Sequence, residues 1–250
     1  MSIHILNWEA NGKRLYIRDL VNQQDYREVE KLQMEAWGFS ELDVVPSGQL
    51  IAAKAAGGVL LGAFDGERMI GFVYGHPGYE HKRVSLHSHM LAVKPEDRKL
   101  QAGVQLKLAQ RLKALDQGIK EITWTFDPLQ ALNANLNFGR LGVVSDRYMV
   151  DFYGEETSSH LHRGVGTDRL WVRWLITSDR VRRRLNEGGN KAPSGIELTQ
   201  EQLAEPGPSV FVRTEGGWEQ VRDVAAHVTA SECLIGIPDS ITELKEKSME

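Results

Sequence analysis

Residues 85–118, SLHSHMLAVKPEDRKLQAGVQLKLAQRLKALDQG, read as a strand, a tight turn and a helix. Leu86, Met90 and Ala92 alternate with His87, His89, Leu91 and Val93, a pattern that suits a strand buried on both faces. Pro95 ends it, and the charged turn that follows closes on Gly103. Val104, Leu108, Leu112 and Leu115 then recur at helical spacing, which predicts an amphipathic helix with Lys107, Arg111 and Lys113 facing elsewhere and Gly118 as its stop. A strand feeding a helix through a short loop aims unpaired backbone N–H groups and the positive helix end at one point, where a phosphate binds well.

The residues of that turn, Val93-x-Pro95-x-x-Arg98-x-x-Gln101-x-Gly103, resemble the coenzyme-A pyrophosphate loop of the GNAT superfamily of N-acyltransferases. A second match lies downstream, where Asn133 or Asn135 in a short helix precedes Leu141-Gly142 and another strand. The resemblance is to the predicted-acetyltransferase branch, and it implies an α/β (α+β) fold. Its features would be a mixed, mostly antiparallel central sheet, a splayed parallel pair and flanking helices. It also implies an acetyl-CoA or other acyl-CoA co-substrate, an amine acceptor, and direct attack without an acyl-enzyme. The implied cofactor contacts are the backbone of Leu91, Ala92 and Val93, the phosphate loop Arg98, Lys99, Gln101, Ala102, Gly103 and Val104, and Asn133 and Asn135. Helix capping is the other reading of the two asparagines.

The pattern is departed from at two positions. Gln101 stands where the family has its first glycine, and Phe138 where many members carry a tyrosine that protonates the departing thiolate. Phenylalanine cannot donate, so Tyr148 or Tyr153 on the next strand is the candidate substitute, with solvent as proton source, or mere packing of both tyrosines on the sheet, as the other readings. These departures support a second reading, a non-catalytic GNAT-fold protein that binds acyl-CoA or a partner through a degenerate loop. For the base, His87 and His89 lie two apart on the central strand and share a face, so either can accept a proton from an amine; structural histidines are the alternative. Glu80 and His81 are lesser candidates. Two strand histidines without a third ligand do not define a metal site.

The remaining chain supplies the frame. A strand is expected at 15–20, a helix at 24–37, and a second helix at 47–56 capped by Ser47. A hairpin joins 59–64 to 68–74 through Asp65-Gly66, and Gly75, Pro77 and Gly78 close its second strand before a polar link at 79–83. Strands follow at 121–126, 143–153 and 168–176, the last closing the sheet. Arg180 to Arg184 read as a solvated helix face rather than a nucleic-acid contact, since no aromatic platform is interleaved. The domain reading is 1–185 as the acyl-CoA-binding unit, 186–208 as linker, and 209–250 as a strand-containing appendage with strands near 210–214 and 233–237 and a final helix capped by Ser240.

Composition bounds the function classes. With 41% hydrophobic and 26% charged residues the chain is globular, and its net charge of -4 argues against nucleic acid as the main partner. A single cysteine, Cys233, makes no internal disulfide and fits a reducing compartment. The first residues lack the order of a signal peptide and no run spans a membrane, so the cytoplasm is the expected location, with no membrane partner. A homodimer is left open.

Overall fold

The computed structural model describes residues 4–154 and 166–186, the segments 211–213 and 219–221, and Ile237 and Ile241. The chain opens with a hairpin of β1 (His4–Ala10) and β2 (Lys13–Asp19). Its turn is Asn11-Gly12, both at positive φ (51° and 72°), the geometry that matches strand twist in a two-residue loop. Strand β1 precedes the first strand expected at 15–20, and Asn11-Gly12 is the sequence signal for it. Helix α1 (Gln23–Trp37) starts where Asn22 accepts a hydrogen bond from the Asp25 N–H and ends at Gly38 in the left-handed region. Helix α2 (Ser47–Ala55) has Pro46 at its cap position, so Ser47 is not the cap; its N–H donates instead to Glu30.

Strands β3 (Val59–Asp65), β4 (Arg68–Glu80) and β5 (Arg83–Val93) form a meander. The expected stop at Gly75 to Gly78 does not occur. On β4 those residues keep pairing with β5, and the supposed polar link is the turn of a long hairpin, with His81 and Lys82 at positive φ. Pro95–Leu100 makes a 3-10 turn and leads into α3 (Ala102–Asp116), then β6 (Glu121–Phe126). Next, α4 (Ala131–Ala134) runs directly into a π-helical segment, Asn135–Leu141, followed by β7 (Val144–Met149), β8 (Arg169–Leu175) and α5 (Asp179–Asn186). A separate two-stranded sheet pairs β9 (Phe211–Arg213) with β10 (Glu219–Val221). Strand β9 falls where one was expected; the proposed linker, the strand near 233–237 and the final helix lie outside the described residues, apart from Ile237 and Ile241.

The eight-stranded sheet has the order β1-β2-β3-β4-β5-β6-β8-β7. Every neighbouring pair is antiparallel except β5 and β6. Strand β8 does not close the sheet as expected. It lies between β6 and β7, because Val172 and Trp174 are fully buried, whereas polar Ser145, Asp146 and Arg147 suit β7 to the edge. The sheet separates two cores. Val59, Leu61, Val73, Leu86, Ile122 and Trp174 pack with α3, the π segment and α5, while Leu60, Phe64, Phe72 and Tyr74 pack with α1 and α2. Among the described residues no helix is long and apolar enough to cross a membrane.

Helix α3 turns a different face inward from the one its leucines announce. Ala102, Leu106, Lys107, Ala109, Gln110 and Ala114 are buried, and Leu112 is exposed. Small residues let the helix lie close on the sheet, and the larger leucines flank that contact.

The connection between α1 and α2 is tied by Gln33, fully buried, whose Oε1 accepts from the Val45 N–H at 2.7 Å and whose Nε2 donates to the Val45 carbonyl at 3.1 Å. Gln33→Leu leaves both Val45 groups without that partner and is expected to lower stability by about 2 kcal/mol, from two hydrogen bonds at roughly 1 each. Urea unfolding measures it, and an unchanged midpoint would show that the loop does not need this tie.

Candidate active site

Parallel pairing between β5 and β6 covers only Leu86 with Ile122 and His87 with Thr123. Beyond His87 the strands part: β5 stays with β4 as far as Val93, and β6 stays with β8. From Ser88 to Val93, therefore, the edge of β5 that faces β6 has no strand partner among the described residues, and Leu91, Ala92 and Val93 lie along it. At the parting the register against β4 shifts, from His76 opposite His87 to Tyr74 opposite Met90, so Ser88 and His89 together oppose Gly75. This is a bulge on β5, which bends the strand and re-aims its side chains. Gly75 has to be glycine, since a Cβ there would sit 2.8 Å from the His87 carbonyl oxygen and 3.3 Å from the Ser88 Cα.

The turn after β5 is braced from below. Asp97 is buried and takes a bidentate ion pair from Arg68 at 2.7 and 2.8 Å, and Trp8 donates its indole N–H to the Leu100 carbonyl at 2.8 Å. Arg98 and Lys99 remain exposed beside the start of α3. Gln101 adopts the left-handed conformation (φ 61°) that glycine takes more easily, and its side chain is exposed. The N–H groups of Ala102 and Gly103 precede the first intrahelical bonds, which Val104 and Gln105 make to Gln101, and so point outward at the helix start. Asn133 and Asn135 are exposed, and neither caps α4, whose cap position is Gln130.

On the face carrying α1 and α2, three imidazoles meet. His76 lies 5.4 Å from His87 and 5.9 Å from His89, and His87 lies 6.3 Å from His89, centre to centre. His87 and His89 do share a face; His76, brought beside them by the continuation of β4, was not anticipated. His87 stacks on Trp171 at 5.0 Å, and its Nδ1 is 3.1 Å from Thr123 Oγ1. Burial, with the charges of His76, His89 and Lys107 behind it, pushes the His87 imidazole down to about 3, so it stays neutral at physiological pH. His89 reaches solvent and stands edge-on to Tyr74 at 6.0 Å. Partial desolvation by the surrounding protein, then the charge of His76, lowers it too. Among the described residues no three His, Cys, Asp or Glu are arranged to hold a metal.

The other candidates are placed elsewhere. Glu80 is ion-paired with Arg147, which lies over the Trp171 ring at 4.5 Å, and His81 sits at the hairpin tip. Tyr148 pairs with Leu170 on the edge strand, so it points to the opposite face from Arg147 and the histidines. Its hydroxyl donates to Asp168 at 2.5 Å, and burial together with that carboxylate pushes the phenol up to about 12. Tyr153 is on the histidine side, its hydroxyl 3.5 Å from Thr125. Phe138 packs edge-on against Phe126 at 5.8 Å.

Below the parting, on the α3 side, lies a group expected to face away from the apolar stripe of its helix. Lys107 is 4% exposed; its Nζ donates to Ser88 Oγ at 2.7 Å and sits 3.7 Å from the centre of the Trp124 ring. It thus bridges β5 and β6 where they part. One turn on, Gln110 is fully buried, and among the described residues neither atom of its amide has a hydrogen-bond partner. The spacing of Ala102, Leu106, Ala109 and Ala114 was the available signal that this face turns inward, but a leucine-weighted pattern hides it.

No protein-family model matches the sequence, and no curated protein does. Solved structures match the fold. A GNAT-family protein from Desulfovibrio desulfuricans superposes with a TM-score of 0.53 at 16% identity, over 65% of this chain and 99% of its own. The ribosomal-protein-S18-alanine N-acetyltransferase of Escherichia coli gives 0.51 at 13%, over 66% and 95%. A GNAT acetyltransferase from Elizabethkingia anophelis, solved with acetyl-CoA bound, gives 0.51 at 17%, over 64% and 97%. The likeness is one of architecture, and the chain has the GNAT fold.

Burial pushes Lys107 down to about 7 from its ordinary 10.5. The unfolded chain keeps that proton to about pH 10, so stability rises with pH between these values and is lost as pH falls through the window. Lys107→Met is therefore expected to be at least as stable as the parent near pH 7, with the advantage shrinking toward about pH 10. Urea unfolding at the two pH values tests this; a variant strongly destabilised near pH 7 would contradict it.

Proposed function

We propose that this chain is an acyl-CoA-dependent N-acyltransferase that works by direct attack of an amine in a ternary complex. The observation that carries the reading is the parting of β5 and β6 after two residue pairs, which leaves a bare backbone edge in an otherwise fully paired region. Buried backbone groups do not stay unpaired without a reason, and a pantetheine arm, with its two amides, is a partner of the right shape. Leu91, Ala92 and Val93 would hold it and polarise the thioester carbonyl. The start of α3 at Ala102, Gly103 and Val104, with Arg98 and Lys99 beside it, would receive the pyrophosphate. Gln101 fits this role, because its backbone already has the conformation of the glycine it replaces.

The acceptor amine would approach from the α1 and α2 face, over Tyr74, His76, His89 and Trp171. His89 is the base: it reaches solvent, and its lowered proton affinity leaves it neutral and ready to accept at neutral pH. His87, tied to Thr123 and Trp171, shapes the floor. The Escherichia coli neighbour, named for an alanine of a ribosomal protein, and the Elizabethkingia neighbour with acetyl-CoA support an acyl-CoA and an amine as the substrate classes.

Calorimetric titration with acetyl-CoA and with CoA tests the reading. Micromolar affinity is expected for both, weakened about tenfold by Arg98→Ala, the loss of one charged contact to phosphate. In an amine-acceptor screen, His89→Ala is expected to lower kcat about a hundredfold with acetyl-CoA affinity unchanged. Because His89 must be neutral and its pKa is lowered, the rate of the parent should hold below about pH 6.5 before falling. Absence of binding by either cofactor form would overturn the proposal.

A further inference from the structure

Resting on that reading, we propose that Lys107 is the acid of the reaction, protonating the thiolate of coenzyme A as it leaves. The sheet separates the two proton carriers. His89 stands on the acceptor side of β5, and Lys107 reaches the parting from beneath, between Ser88 and Trp124, on the α3 side. A thioester lying in the gap would have a base above and an acid below, and the two would meet only through it.

Lys107 is a buried cation with little to justify it structurally. Facing it are Ser88 and His87 from β5 and the Trp124 ring from β6; among the described residues no carboxylate pairs with it. An ammonium removed from water without a counter-ion is costly, and that cost falls when an anion arrives beside it. Gln110 adds an independent observation on the same helix face, a fully buried amide lying beside Gly75 opposite the bulge, with both polar atoms unpartnered among the described residues. Groups of this kind in native proteins call for an explanation, and a polar ligand atom entering the gap supplies one. With its proton affinity brought down to about 7, Lys107 both holds and releases a proton near neutral pH.

Neither the family position nor Tyr148 supplies a hydroxyl here. Phe138 has none, and Tyr148 stands on β7, separated from β6 by β8 and engaged with Asp168. In the step itself the amine nitrogen bonds to the thioester carbon and gives up a proton to His89. The carbon–sulfur bond then breaks with its electron pair on sulfur, and a proton from the Lys107 ammonium completes the thiol. After the products leave, His89 releases its proton to solvent and the neutral lysine regains one from it.

The test reads the thiol directly. The parent protein and Lys107→Met are saturated with CoA, and thiolate absorbance is followed against pH, with the desulfo-CoA complexes as baselines. The bound thiol of the parent is expected to ionise about one pH unit or more below free CoA, and in the variant at or above the free value. Lys107→Gln, a second neutral replacement, should behave as the methionine variant does. In turnover, kcat should fall about a hundredfold with acetyl-CoA affinity unchanged, and the loss of rate at high pH that reports the acid should disappear. Normal CoA binding with the same thiol ionisation in parent and variants overturns the role of Lys107 alone. A parent that binds no CoA overturns the acyltransferase reading and this role with it.

Discussion

Everything at this site depends on two strands that begin to pair and then stop. Parallel β5 and β6 share two residue pairs, Leu86 with Ile122 and His87 with Thr123, and then each follows its antiparallel neighbour. Right-handed twist separates strands only gradually, so an abrupt parting needs a local cause. The cause here is the bulge at Ser88 and His89, opposite a glycine whose missing side chain lets the β5 backbone come close. The same bulge sends Ser88 toward α3 and His89 toward the opposite face, so the opening and the distribution of polar groups around it have one origin.

The surrounding structure is arranged to keep that opening rigid. Arg68 and Trp8, from strands on the far side of β5, hold the turn from Pro95 to Leu100 through Asp97 and the Leu100 carbonyl. The small-residue stripe of α3 presses the helix onto the sheet, and its first turn arrives beside Leu91 and Val93, with Gly103 close to both. Trp174 is fully buried and donates to the Leu141 carbonyl, which ties β8 to the π segment. A site that must leave backbone groups unpaired requires well-paired neighbours, because unpaired backbone is otherwise filled by collapse.

Polar groups at the parting are buried on one side and partly solvated on the other. Beneath it, Lys107 and Gln110 sit in an apolar layer of Leu86, Leu106 and Ile122, where charge is expensive and responds strongly to what enters. Above it, His76, His87 and His89 border a surface that α1 and α2 leave open, with Trp171 and Arg147 as its wall. Two dielectric environments on either side of one strand are a direct means of driving the proton affinities of a base and an acid in useful directions.

The order of elements from the first helix to β8 and the strand-turn-helix around Pro95 and Gly103 were legible along the chain from local rules: alternation in strands, glycine and proline at turns, helical spacing. The GNAT architecture was implied by the resemblance of two motifs, the loop from Val93 to Gly103 and Leu141-Gly142. Histidines two apart on one strand could likewise be placed on a common face. Pairing and packing between distant segments were needed to show that β4 runs on past Gly75 to bring His76 beside them, that β8 lies inside β7, and that Lys107 and Gln110 face inward where Leu112 does not. Those outcomes depend on which strand a segment pairs with and how closely a helix can lie on a sheet. Such distances are set by the small residues of both partners, and no pattern of hydrophobicity along one chain segment contains them.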